Sequence, residues 1–288
     1  MPALITPFRR DGTLDRGAHR HNLQTLATRG IRGFLVAGTT GESVFLEPGE
    51  REALAAATRE ATPSAFVVVG VNAPTTRLAR SQMREAEAGG ADALLVSSPT
   101  ALLRGRHHLV QRFLEEVADS SPLPIFLYSF PQETGYEPPL DLVAALAAHP
   151  RVVGMKDSGG HPVRMADLAA CTPDGFLLYA GASAAISLSV AAVASGTMAA
   201  SANHLPELVT GVVKRARRSP RSAAPLQTAL TTAARAIEQF GIPGTKAAAQ
   251  LSGLQPGSDR PPLQPLRRSE LQVVERAWRT AATAPTSE

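Results

Sequence analysis

Val152-Val153-Gly154-Met155-Lys156-Asp157-Ser158-Gly159-Gly160 reads as a short buried strand that ends on a lysine and then turns. The apolar run supplies the strand and Ser-Gly-Gly the turn. Lysine is scarce in this chain. Only Lys156, Lys214 and Lys246 stand among 29 lysines and arginines, so the general-purpose cation here is arginine. A lysine amine, unlike a guanidinium, can lose its proton and attack a carbonyl carbon. The plain alternative is a strand-end lysine that snorkels to water or pairs with Asp157.

Outward from this stretch the same unit repeats. Strand patterns are read at Ala3–Thr6, Ile31–Val36, Phe66–Val71, Ala93–Val96, Pro124–Tyr128, Val152–Lys156, Phe176–Tyr179 and Thr197–Ala200. Helical spacing lies between them, for example over Asp15–Arg29, His107–Ala118 and Leu140–Ala148, with Gly30 and Gly89-Gly90 as stops. Short apolar strands alternating with helices mean parallel βαβ units. Eight of them predict an α/β chain closed as a (β/α)8 TIM barrel. An open dinucleotide-binding sheet would need Gly-x-Gly-x-x-Gly after its first strand, where this chain has Pro7-Phe8-Arg9. After Pro206 the pattern is helical only. The expected organisation is a barrel over residues 1–220 and a C-terminal helical extension over 221–288.

Composition narrows the function classes. At 288 residues, 44% hydrophobic and 19% charged, the chain can bury a large core. A net charge of +4 with 5% aromatics and no long basic run argues against nucleic-acid binding. Cys171 is alone, which excludes an intrachain disulfide. No apolar run approaches a membrane span, and no signal-peptide pattern opens the chain, so a cytoplasmic location is expected. His19-x-His21 and the adjacent His107-His108 lack a third ligand nearby and read as solvated helix residues; no metal is expected.

A barrel carries its active site at the C-terminal ends of its strands. Thr39-Thr40 follows the second strand, Tyr128 ends the fifth and Lys156 ends the sixth. The combination suits amine chemistry on a keto carbon. The lysine forms an imine, a phenol relays protons, and a Thr-Thr-Gly turn holds a carboxylate. Each element also has a plain reading, as a turn former or a barrel-capping tyrosine with a wet hydroxyl.

The chain resembles the dihydrodipicolinate synthase and N-acetylneuraminate lyase family of Schiff-base pyruvate enzymes. The resemblance runs from Leu4-Ile5-Thr6-Pro7-Phe8 to Gly241-Ile242-Pro243-Gly244-Thr245-Lys246. Its most specific pieces are Gly38-Thr39-Thr40-Gly41-Glu42-Ser43, Leu127-Tyr128-Ser129-Phe130-Pro131 and Gly154-Met155-Lys156-Asp157. It implies that Lys156 forms the imine, Tyr128 relays protons, and Thr39 and Thr40 hold the pyruvoyl carboxylate. It also implies a pyruvate-type 2-oxo acid substrate, no cofactor, a homotetramer, and a structural Lys246.

Two departures bear on the branch. Where dihydrodipicolinate synthase carries Pro-Gly-Arg-Thr-Gly, with an arginine for the aldehyde's carboxylate, this chain has Pro131-Gln132-Glu133-Thr134-Gly135. A cation has become an anion. Where the family places tyrosines, Pro99 is followed by Thr100-Ala101-Leu102. Met155 to Gly160, Leu127 to Ser129 and Ala180 to Ser183 resemble the 4-hydroxy-2-oxoglutarate aldolase branch. The reading is a class I aldolase or lyase working on a 4-hydroxy-2-oxo acid, with Glu133 as a specificity residue or an exposed loop carboxylate. The alternatives are 4-hydroxy-tetrahydrodipicolinate synthase, a sugar-acid dehydratase, and a non-catalytic barrel scaffold.

Overall fold

The computed structural model describes residues 1–99, 102–103 and 105–284. Seven parallel strands pair in chain order: β1 (Gly33–Val36), β2 (Phe66–Val71), β3 (Ala93–Ser97), β4 (Ile125–Ser129), β5 (Val152–Asp157), β6 (Leu177–Ala180) and β7 (Gly196–Thr197). Helices connect them, and the sheet curls so that both faces are buried. Leu35, Val68, Leu95, Phe126 and Met198 meet inside the curl. Phe34, Val67, Leu94, Leu127 and Met155 pack outward under the helices. Alternation in and out along each strand, with both sides apolar, explains why the strands read as unbroken hydrophobic runs.

The expected eighth strand over Ala3–Thr6 is reduced to single parallel bridges, Pro2 to Ala199 and Ala3 to Leu35. The physical reason is local. The N–H of Ile5, which a ladder would use, donates instead to Asn203 Oδ1 at 3.2 Å. Asn203 Nδ2 donates to the carbonyl of Ala3 at 2.7 Å. Residues 1–5 therefore lie between β1 and the chain leaving β7, held partly by one buried asparagine side chain. The strand expected over Thr197–Ala200 is likewise short, because residues 200–203 wind into a 3-10 turn.

Beyond Pro206 the chain is helical, as expected: Pro206–Arg218, Pro220–Glu238, Gly241–Leu251 and Arg268–Ala282. Leu226, Leu230, Ile237 and Val274 join the same apolar cluster as the outward strand residues. Among the described residues no helix is long and apolar enough to cross a membrane.

One sequence expectation is corrected. His19 is not solvated; it is 2% exposed, and its Nε2 lies 2.9 Å from Thr58 Oγ1. Helix Arg16–Thr28 packs on helix Glu50–Ala61, and His19 shares its buried stripe with Leu23 and Leu26. Burial pushes its imidazole down to about 4.

Candidate active site

Register places the central pair. Tyr128 of β4 lies opposite Lys156 of β5, and Ser97 of β3 opposite Tyr128. Simple alternation from Val152, which packs outward, would send Lys156 outward too. A register shift prevents this: Ile125 pairs with Val152 but Phe126 pairs with Gly154, leaving Val153 as an extra residue. Such a bulge re-aims every side chain after it. Val153 and Lys156 consequently both face the interior of the curl. Gly154 is required at this point, because a Cβ there would lie 2.3 Å from the carbonyl oxygen of Leu177 and 2.7 Å from the Phe126 ring.

Lys156 is 4% exposed, and its Nζ stands 4.5 Å from the centroid of the Tyr128 ring. Among the described residues no carboxylate is within ion-pair distance of it. The adjacent Asp157 is engaged elsewhere. Its Oδ1 accepts from the Gly159 N–H at 2.9 Å, and its Oδ2 pairs with Arg164 Nε at 3.1 Å. The pairing of Asp157 with Lys156, open from the sequence, is therefore excluded.

The loop after β1 brings the threonines. Thr39 Oγ1 and the Tyr128 hydroxyl are 3.3 Å apart. The loop is strained at two non-glycine residues, Ala37 (φ 52°) and Glu42 (φ 58°). It is pinned from three sides. Thr6 Oγ1 donates to the Gly41 carbonyl at 2.7 Å, the Arg260 N–H donates to Glu42 Oε2 at 3.0 Å, and Lys246 Nζ lies 2.5 Å from Glu42 Oε1. Lys246 also donates to the Ser258 carbonyl at 2.7 Å. Burial raises the Glu42 carboxyl even with this lysine beside it.

Thr39, Thr40, Tyr128, Glu133 and Lys156, the five residues singled out in the sequence, line one cavity of about 390 Å³. Glu133 sits on the short helix Pro131–Thr134 and is exposed at the edge. The cavity also contains groups that sequence reasoning missed. Ser158 and Gly181 flank the lysine, while Ser183, Glu238 and Thr245 form another part of the wall. Glu238 and Thr245 come from the helices Pro220–Glu238 and Gly241–Leu251, so the helical part of the chain after the strands contributes to the site. Residues Thr100 and Ala101, which stand where the family has tyrosines, lie outside the described residues. The Tyr136 hydroxyl is 3.2 Å from His107 Nδ1.

Comparisons with known proteins bear on the family and the fold. The model of the dihydrodipicolinate synthetase family matches residues 1–281. A 4-hydroxy-tetrahydrodipicolinate synthase 1 of Streptomyces coelicolor is 35% identical over 281 residues, covering 94% of this chain and 89% of that one. A 4-hydroxy-tetrahydrodipicolinate synthase of Xanthomonas campestris pv. campestris is 33% identical over 280 residues, covering 96% and 92%. Among solved structures, the 4-hydroxy-tetrahydrodipicolinate synthase of Methylacidiphilum fumariolicum superposes with a TM-score of 0.90 at 29% identity, covering 97% of this chain and 94% of that one. The chain therefore belongs to the dihydrodipicolinate synthetase family, and with it to the pyruvate-dependent carbon–carbon lyases.

Proposed function

We propose that this chain is a class I aldolase that makes or breaks a C–C bond next to pyruvate held as an imine on Lys156, with a 4-hydroxy-2-oxo acid as the bond-cleavage substrate. The observation that carries the reading is a buried lysine with no carboxylate partner among the described residues, beside a tyrosine that is in turn linked to Thr39.

In this reading the Lys156 amine adds to the keto carbon of pyruvate, and water leaves as the imine forms. The cationic imine draws electrons from C3, which loses a proton to give an enamine. C3 then attacks the aldehyde carbon, whose oxygen takes up a proton. Water hydrolyses the imine, freeing the product and the amine. Tyr128, with Thr39 3.3 Å away, moves the protons. Thr39 and Thr40 hold the pyruvoyl carboxylate. Cleavage is the same sequence reversed.

The eight-strand (β/α)8 closure belongs to the same reading and is supported by the bridges from residues 2 and 3 to Ala199 and Leu35. So do a barrel of residues 1–220 with a helical extension over 221–288, a homotetramer and a cytoplasmic location. A second reading, 4-hydroxy-tetrahydrodipicolinate synthase, is favoured by the names of the relatives above. Against it stands Glu133 where that enzyme carries an arginine for its aldehyde's carboxylate.

The test is pyruvate release from a panel of 4-hydroxy-2-oxo acids, coupled to a reporter dehydrogenase. Release by the wild type, lost in Lys156→Ala, supports the aldolase. Condensation of pyruvate with aspartate semialdehyde, without cleavage of any panel member, would move the assignment to the second reading.

A further inference from the structure

Among the described residues, three charged side chains line the cavity: Lys156, Glu133 and Glu238. The first is consumed by the proposed imine, and the specificity inferred below for the site rests on that reading. Glu238 is then a charged group with no role in the structure that its position would explain. It is the last residue of the 19-residue helix Pro220–Glu238, where the helix dipole disfavours a negative charge. It is half-buried, and burial pushes its carboxyl above the usual carboxylate range. Among the described residues no cation pairs with it. The hydroxyl of Ser183 donates to its Oε1 at 2.7 Å.

That contact is built rather than incidental. Ser183 Oγ also lies 2.9 Å from the hydroxyl of Ser201, and both serines are buried. The carbonyl of Ser183 accepts from Gln227 Nε2 at 3.0 Å, and Gln227 lies three helical turns before Glu238 on the same helix. The helix thus fixes the serine that orients its own terminal carboxyl. A local rule broken and then braced is what a binding group requires.

We propose that Glu238, with Glu133 at the edge, sets the specificity of the site for a neutral, hydroxyl-bearing aldehyde half, such as a sugar-derived chain, and against one ending in a second carboxylate. A carboxyl accepts hydrogen bonds from hydroxyl groups and repels a carboxylate. Once Lys156 is an imine, the cavity lining offers, among the described residues, no other lysine or arginine to a distal carboxylate. The cleavage substrate would accordingly be a 4-hydroxy-2-oxo acid with a hydroxylated tail, formed by the same C3-to-aldehyde bond described above.

The experiment compares D-glyceraldehyde and glyoxylate as acceptors for pyruvate in the wild type and in Glu238→Leu, Glu238→Gln and Glu238→Arg, with borohydride trapping of pyruvate run alongside. The wild type should prefer glyceraldehyde by at least roughly tenfold in kcat/KM. Glu238→Leu should raise KM for glyceraldehyde by about tenfold, and the isosteric Glu238→Gln should recover most of that loss, since an amide still accepts from a hydroxyl. Glu238→Arg should shift the preference toward glyoxylate. A wild type that traps pyruvate yet prefers glyoxylate overturns this proposal alone. A wild type that traps no pyruvate overturns the imine reading and this proposal with it. Equal losses for both aldehydes in all three variants would also overturn it, as the signature of a merely structural residue.

Discussion

Replacing Gly181 with alanine tests how closely the cavity is fitted around the lysine. Gly181 follows β6, and its N–H donates to the Asp157 carbonyl at 2.7 Å. Its backbone is not left-handed, so alanine is conformationally allowed and would remove about 0.4–1 kcal/mol of unfolded-chain entropy. The obstacle is space. The new Cβ would lie 1.9 Å from Ser158 Oγ, 2.9 Å from Ser158 Cβ and 2.9 Å from Lys156 Cε. The hydroxyl can rotate away. The two carbons must each retreat by about half an ångström to reach ordinary contact. Overpacking of this kind costs about 1–3 kcal/mol, so the net loss of stability should stay near 1–2 kcal/mol and the protein should fold. Displacing the amine by that distance should slow imine formation by about 10- to 100-fold. The assay pairs the rate of pyruvate trapping with a thermal melt, using Gly196→Ala as a control. There the nearest atom to a new Cβ is 3.5 Å away, an ordinary contact. Full trapping rates in a folded Gly181→Ala would refute the claim that this glycine positions Lys156.

The buried charges give further expected outcomes. His19 and His204 are held neutral by burial, at about 4 and about 3, against an ordinary value of 6.5. Below pH 6.5 the unfolded chain binds protons that the folded chain refuses, so their contribution is complete above 6.5 and is lost as pH falls, at about 1.4 kcal/mol per unit per histidine. Carboxyls raised by burial, Glu42, Glu238 and Asp259, act in the opposite direction. Urea denaturation of His19→Asn between pH 6.5 and 5 should therefore show a slope shallower by about that amount per unit, and an unchanged slope would contradict the assignment. Lys246→Met strands Glu42 and Asp259 without their cation and should cost about 3–5 kcal/mol at pH 8, and less as the pH falls, since burial holds both carboxyls above the usual carboxylate range. A loss below about 1 kcal/mol at pH 8 would show that the pair does not anchor the Thr39–Thr40 loop.

The strand pattern and the strand-end residues were legible because both depend on local chemistry. Apolar runs of five or six residues must be strands when glycine-rich turns and helices alternate with them, and the ends of those strands share one face. The loop Gly38–Ser43 and the residues Tyr128 and Lys156 announce themselves by type and position. What stayed hidden depends on pairing. No alternation rule reveals that Val153 bulges, yet without that bulge Lys156 would point at the helices. Nor does the run Ala3–Thr6 disclose that an asparagine 198 residues away takes the Ile5 N–H and cuts short the pairing that Ala3 and Leu4 begin. Glu238 and Ser183 were invisible for the same reason. A glutamate at a helix end looks like surface until the fold closes it over a cavity. His19 misled because the helix faces are apolar only in part, and a histidine can be buried by one threonine hydroxyl.

Borohydride reduction in the presence of pyruvate, followed by intact-mass measurement and peptide mapping, bears most directly on the central claim. One reduced pyruvoyl group per chain is expected, on Lys156 rather than Lys214 or Lys246, and none in Lys156→Ala. A folded wild-type protein that gains no such mass, or gains it on another lysine, would contradict it.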